Sequence, residues 1–156
     1  MILVTVGTQF FDELIEEVDR LAGEGAFAEP VVAQIGLSRH RPKHMDYLAF
    51  DRNLLETAAR ASLIITHAGT GSLIEFVMLG RPFIAVVNDT KADNHQLEFL
   101  ERLSAEYDFC WIDSPRRLAA ALPEARPARP RRRSNAPDLA ADLRAWLHAR
   151  CGGSAS

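Results

Sequence analysis

The sequence predicts an α/β fold built on a doubly wound, mostly parallel sheet. Three observations carry that expectation. The apolar runs are short and rich in Val and Ile, the composition of strands covered on both faces. Stretches with apolar residues at helical spacing alternate with them, as crossover connections between parallel strands require. The chain has 156 residues, 47% hydrophobic and 25% charged, which suits one domain with a sizeable core.

In chain order, Ile2 to Val6 reads as the first strand, and Phe11, Leu14, Ile15, Val18 and Leu21 mark the buried face of the first helix. Val31 to Ile35 and Tyr47 to Phe50 read as strands, and Leu54, Leu55, Ala58 and Ala61 as a second helical face. The strand Leu63 to Thr66 is followed by a helix carrying Leu73, Phe76, Val77 and Leu79. The strand Phe83 to Val87 is followed by a helix opened by Asp93 and running through Leu103, and Phe109 to Ile112 is the last strand, with Trp111 expected in the core. All six strands are expected to be buried.

From Pro123 to Pro137 the composition turns to Pro, Arg and Ala without apolar periodicity, which reads as a linker or loose loop. Beyond it Leu139, Leu143, Trp146 and Leu147 recur at helical spacing, with Ser134 or Asn135 as an N-cap and Gly152-Gly153 as a stop. The expected organisation is a binding domain over 1–122, a linker over 123–136 and an amphipathic helix over 137–150. That helix must bury its stripe on its own sheet or on a partner, with Trp146 as core or as an interface anchor. The arginines 126, 129, 131, 132 and 133 read either as a solvated linker or as a patch for anionic headgroups or an acidic partner.

Net charge is −3, from 18 basic and 21 acidic side chains, so no overall positive field recommends nucleic acid as a partner. The longest apolar runs fall far short of the roughly 20 residues of a membrane span. Met1 to Gly7 has no basic region ahead of its apolar stretch and reads as a core strand, not a signal peptide. Cys110 and Cys151 form no CxxC or Cys/His pattern, so neither a zinc site nor a disulfide framework is expected, and the expected compartment is the cytoplasm.

In open α/β sheets ligands bind where strands turn into helices at their carboxyl ends. The stretch Thr66-His-Ala-Gly-Thr-Gly-Ser-Leu-Ile-Glu75 is placed there. Gly69 and Gly71 permit close backbone approach, Ser72 is expected to cap the helix, and the helix start favours a diphosphate. Glu75, expected on the first turn, would accept hydrogen bonds from ribose hydroxyls. A plain tight turn with a cap and a dipole-complementing Glu is the competing reading. GxxxxGK[ST] is absent, and the Gly69 loop lacks the third small residue of GxGxxG, which turns the reading away from ATP and NAD. A second loop carries Asp93, Asn94, His95 and Gln96, either a site for a polyhydroxylated sugar or an ordinary capping cluster. The turn Thr5-Val-Gly-Thr-Gln9 lies at the same sheet edge.

These loops together resemble the C-terminal, UDP-sugar-binding half of the family 28 glycosyltransferases, above all its single-domain members that serve as one subunit of a two-part transferase. The resemblance rests on Val4 to Thr8 with Phe11 and Leu14, Gln34-Ile-Gly36 with Ser38 and Pro42, Ala61 to Ser72 with Glu75, Leu79-Gly-Arg-Pro82, and Asp93 to Leu97. It covers about the first 110 residues. After Pro82 the family's apolar run often ends in Pro-Asn, where this chain has Val87-Asn88.

The resemblance implies a Rossmann-like half of a GT-B glycosyltransferase. It implies that Gly7, Thr8, Gly69, Thr70, Gly71 and Ser72 receive the UDP diphosphate, that Glu75 holds the ribose and that Phe50 walls the uracil pocket. Asn94, His95 and Gln96 would contact the donor sugar, with His67 in the cleft. It implies a hexosyltransferase with UDP-sugar as substrate, no cofactor and no metal. A membrane-attached partner would supply the other half of the cleft and a lipid-linked acceptor in exopolysaccharide or capsule assembly, recruiting this chain to the inner membrane face. No catalytic base is singled out, with His40, His44, His67 and His95 as candidates. The other reading is a non-catalytic nucleotide-sugar-binding or scaffolding module that enhances a partner enzyme.

Overall fold

A computed structural model describes residues 1–88, 94–125 and 129–133. The elements in order are β1 (Ile2–Thr5), α1 (Asp12–Gly23), β2 (Val31–Gln34), β3 (Asp46–Leu48), α2 (Leu54–Arg60), β4 (Leu63–His67), α3 (Thr70–Leu79), β5 (Phe83–Val86) and α4 (Asn94–Glu106). There follow β6 (Tyr107–Asp108), β7 (Cys110–Ile112), a 3-10 turn at Pro115–Arg117, α5 (Leu118–Ala125) and β8 (Arg131–Arg132).

Six strands form one sheet in the order β3-β2-β1-β4-β5-β7, every neighbouring pair parallel. Strict alternation along the central strands builds two cores. Ile2, Val4, Leu63, Ile65, Ile84 and Val86 face one side, where Leu14, Ile15 and Val18 of α1 and Leu118 and Leu122 of α5 cover them. Leu3, Ile64, Phe83 and Ala85 face the other, under Ala58 of α2, Leu73, Phe76 and Val77 of α3, and Leu100 and Leu103 of α4. Each fully buried Leu, Ile, Val or Phe among them contributes about 1.5–3 kcal/mol. Two covered faces are what produce unbroken Val/Ile runs.

The sheet's margins depart from the expected pattern. β3 is exposed at all three positions, and Trp111 on β7 is 37% exposed, so neither belongs to the core as expected. Both lie on the outermost strands, where one flank has no neighbour. The expected last strand, Phe109 to Ile112, joins the main sheet through Cys110–Ile112, and ahead of it Tyr107–Asp108 pairs with Arg131–Arg132 as a separate antiparallel ribbon. α5 continues through Pro123 to Ala125, so the linker's expected start at residue 123 falls inside a helix. The expected C-terminal helix over 137–150 lies outside the described residues.

Asp19, buried on α1, anchors the segment that leads into β3. Its carboxylate accepts from the Lys43 and His44 amides at 3.0 and 2.8 Å and meets His40 Nε2 at 3.0 Å and His44 Nδ1 at 3.4 Å. Burial alone would raise its pKa, but the His40 contact and the two amides outweigh it and hold the carboxyl below its usual value. Asp12 secures the same segment through the Arg39 and His40 amides.

Candidate functional site

Strands β1 and β4 are neighbours, yet from β1 the chain proceeds outward to β2 and β3, and from β4 it proceeds the other way to β5 and β7. Their following loops therefore diverge and leave a crevice at the carboxyl edge of the sheet, the place where such folds bind ligands. One wall is the turn at Gly7, where φ of +60° favours glycine and the amide donates to Thr5 Oγ1 at 3.1 Å. The other begins at His67, the last residue of β4.

The His67 ring is wedged between the two loops. A Cβ at Gly7 would stand 2.9 Å from His67 Cε1, and one at Gly69 only 2.3 Å from His67 Nε2. Gly69 is thus demanded by space, since its own φ of −75° is open to any residue. His67 is 6% exposed, and its Nδ1 has no hydrogen-bond partner among the described residues. Burial pushes its pKa down, against a weaker upward pull from the Thr5 backbone. The imidazole is consequently neutral at pH 7: it shapes the crevice floor and brings no charge to it.

Gly69 is also the N-cap of α3, and no side chain caps that end. Ser72, expected as the cap, is the third residue inside the helix, because the extended Gly69 lets the helix begin at Thr70. The opening amides of α3 therefore keep their donors for an anion, aided by the helix dipole. Around Gly71 nothing lies within 4 Å of where a Cβ would stand, so this backbone borders open space.

Glu75 falls on the second turn of α3, not the first, for the same reason. It lies four residues beyond Gly71, on the same helix face and about 6 Å further along the axis, a separation on the scale of phosphate to ribose hydroxyls in a nucleotide. Its carboxylate borders an apolar groove of about 270 Å³ with Leu55, Ile74, Met78 and Leu79, and burial raises its pKa. An exposed carboxylate beside an apolar groove that no described residue engages is available to accept hydrogen bonds.

Phe50, just beyond β3 and 59% exposed, joins Gly7, Thr8, Gly36, Leu37 and Ala49 around a pocket of about 210 Å³. The structure thus brings Phe50 together with the first turn but sets Glu75 in a separate groove, the chain between Phe50 and Leu55 linking the two. Asn94 opens α4, with His95 exposed and Gln96 half-buried on its first turn; Asp93 lies outside the described residues. His40 and His44 are engaged with Asp19, and His44 precedes β3, at the sheet edge opposite the crevice. That removes these two from the candidates for a base in the crevice.

Two participants escaped the sequence reading of the site. Gln34, 2% exposed at the end of β2, bonds Gly7 on one side and Asp51 on the other. Asn88, 4% exposed after β5, donates to the Phe10 carbonyl at 3.2 Å and so ties the far strand to the first turn. The signal for both was a polar residue within or just after an apolar strand run.

Residues 1–145 match the family described as the glycosyltransferase family 28 C-terminal domain. The human UDP-N-acetylglucosamine transferase subunit ALG13 is 34% identical over 116 residues, covering 67% of this chain and 10% of the human protein. The Yarrowia lipolytica protein of the same name is 34% identical over 122 residues, covering 66% of this chain and 60% of its own length. The chain thus spans about a tenth of the human relative. Among solved structures, Acinetobacter baumannii MurG superposes with a TM-score of 0.60 at 18% identity, over 79% of this chain and 40% of that one. A solution structure of ALG13 gives 0.54 at 20% identity, over 82% and 86%. At these identities the structures attest the fold alone.

Proposed function

The chain belongs to the glycosyltransferase family 28 C-terminal domain family, and from that premise we propose that it is the donor-binding, catalytic subunit of a two-component transferase. It moves a sugar from a UDP-sugar to a lipid-linked acceptor in polysaccharide assembly, such as exopolysaccharide or capsule. The observation that carries this reading is the uncapped start of α3 with Glu75, whose carboxylate no described residue engages, one turn further on. The relatives' name makes UDP-N-acetylglucosamine the first donor to test.

In the transfer, the bond from the anomeric carbon to the β-phosphate oxygen breaks, a bond to the acceptor oxygen forms, and the acceptor hydroxyl loses its proton. UDP leaves carrying the charge. This chain supplies the receiving end: the amides of Thr70, Gly71 and Ser72 and the α3 dipole stabilise the diphosphate as charge develops. Glu75 holds the ribose, Phe50 faces the base, and Asn94, His95 and Gln96 meet the sugar. The base that takes the acceptor's proton comes from the partner.

The partner is membrane-attached and supplies the second wall of the cleft and the acceptor, so the chain acts in the cytoplasm at the inner membrane face. Among the described residues no helix is long and apolar enough to cross a membrane. The segment over 137–150, with its apolar stripe, is proposed to assist in holding it.

His95→Ala and Gln96→Ala are expected to weaken UDP-sugar binding by about tenfold while changing UDP binding by less than about threefold, because these side chains meet the sugar alone. Paired titrations with UDP and UDP-N-acetylglucosamine check this. Equal losses for both ligands would place the two residues on the nucleotide.

A further inference from the structure

The wall at Gly7 and the wall at Phe50 come from different loops, yet one buried side chain joins them. Gln34 Nε2 donates to the Gly7 carbonyl at 3.1 Å and to Thr5 Oγ1 at 3.3 Å. Its Oε1 accepts from the Asp51 amide at 2.8 Å. The orientation of this amide group is fixed by its partners, since a carbonyl can only accept and a backbone N–H can only donate. Reversal would set acceptor against acceptor and donor against donor.

From each end the network extends. Thr5 Oγ1 also accepts from the Gly7 amide. Asp51 accepts from the Asn53 amide at 2.8 Å and from Thr57 Oγ1 at 2.7 Å, which secures the start of α2. Backbone bonds from Gly36 to Ala49 at 3.0 Å and from Leu37 to Gln9 at 3.0 Å close the same frame. With 2% exposure, Gln34 itself cannot reach a ligand.

We propose that Gln34 is a positioning residue that sets the phosphate-side turn at Gly7 and the base-side wall at Phe50 and Asp51 at a fixed separation, so that a nucleoside diphosphate meets both at once. The proposal rests on the donor-binding reading. Removing the amide group leaves the two loops free to move independently, and the ligand must then order them on binding.

The test uses the full chain, UDP as the probe, and Gln34→Met and Gln34→Glu. Gln34→Met, similar in length and without the paired bonds, is expected to bind UDP about tenfold or more weakly. The amide signals of Gly7 and Asp51 should shift together in the free protein. Asp19→Asn, which loosens a segment away from the crevice, serves as a control for lost stability and should bind UDP within about threefold of the unaltered chain.

Gln34→Glu separates positioning from simple loss of packing. Its ionised carboxylate keeps the acceptor for Asp51 but opposes the Gly7 carbonyl. Burial raises the pKa of such a group, so mild acid restores an O–H donor. The ratio of its affinity to that of the unaltered chain should therefore recover between about pH 8 and about pH 5.5, whereas the Gln34→Met ratio should stay flat. Taking ratios removes the titration of Glu75 and of the phosphate, common to all three proteins.

Undiminished UDP binding by Gln34→Met, a loss matched by Asp19→Asn, or a Gln34→Glu ratio that does not respond to pH would overturn the positioning role while leaving the donor reading intact. Absence of UDP binding by the unaltered chain would overturn both. If Gln34→Met does not fold, the pH response of Gln34→Glu decides alone.

Discussion

Glu75→Ala is expected to weaken UDP binding by about tenfold to a hundredfold with little change in thermal stability, because a charge-assisted hydrogen bond is worth about 1.5–3 kcal/mol. The carboxylate sits on the second turn of α3, too far along to act on the helix dipole with much force. Among the described residues it makes no ion pair whose loss would unsettle the fold, and its groove keeps Leu55, Ile74, Met78 and Leu79 after truncation.

The pH dependence of the same interaction follows from burial, which raises the Glu75 pKa. A raised carboxyl favours the protonated native state, so its desolvation costs stability as pH rises through the raised pKa and costs nothing below the usual value of 4.5. For ligand the useful form is the carboxylate. UDP affinity should therefore fall as pH drops through the raised value, and Glu75→Ala should lose that dependence, leaving the titration of the phosphate. Calorimetry across pH with both proteins checks it. A Glu75→Ala chain that unfolds while its UDP affinity is unchanged would make Glu75 a structural residue.

A second pair of variants separates fold from ligand within three residues. Gly69→Ala drives a methyl to 2.3 Å from the buried His67 ring, and overpacking of this kind costs about 1–3 kcal/mol. The ring has little room to retreat, because the Gly7 turn presses its other side. Both a lowered melting temperature and loss of UDP binding are expected. Gly71→Ala meets nothing within 4 Å, so the free protein should keep its stability or gain slightly from the better helix former, by about 0.5–1 kcal/mol. Its methyl, however, occupies the space that a phosphate approaching the helix start requires, and UDP affinity should fall by about tenfold or more. Thermal melts with and without UDP distinguish the two. If Gly71→Ala binds UDP normally, the diphosphate does not sit on this turn.

The central sheet was legible because burial on both faces leaves a signature that depends on neighbours close in sequence. Ile2 to Thr5, Leu63 to His67 and Phe83 to Val86 could be placed within a residue or two. What defeated the reading was position within the sheet. Whether Tyr47 or Trp111 is covered depends on which strand lies outermost, a matter of strand order that their own composition does not encode.

The same limit governed the site. The glycine loop could be recognised from its placement after a buried strand, but the start of α3 turned on the backbone of Gly69, which is extended and makes Gly69 the N-cap. Ser72 therefore changed from a cap to an interior residue, and Glu75 moved by a turn. Gln34 was legible as one of the residues that carry the resemblance but had no role assigned; its pairing with Gly7 and Asp51 joins positions 27 and 17 residues away. Pro123 suggested a break in the chain, yet the helix holds through it beside the buried Leu122 and Ala125.

The central claim is that the crevice between β1 and β4 receives the uridine diphosphate of a sugar donor, and titration of the purified chain with UDP and with ADP tests it most directly. Both nucleotides offer the same diphosphate to α3 and the same ribose to Glu75, so they differ only at the base that meets the Phe50 wall. Saturable one-to-one binding of UDP, at least about tenfold tighter than ADP, is the predicted result. Equal affinities, or no binding of either, would contradict the account.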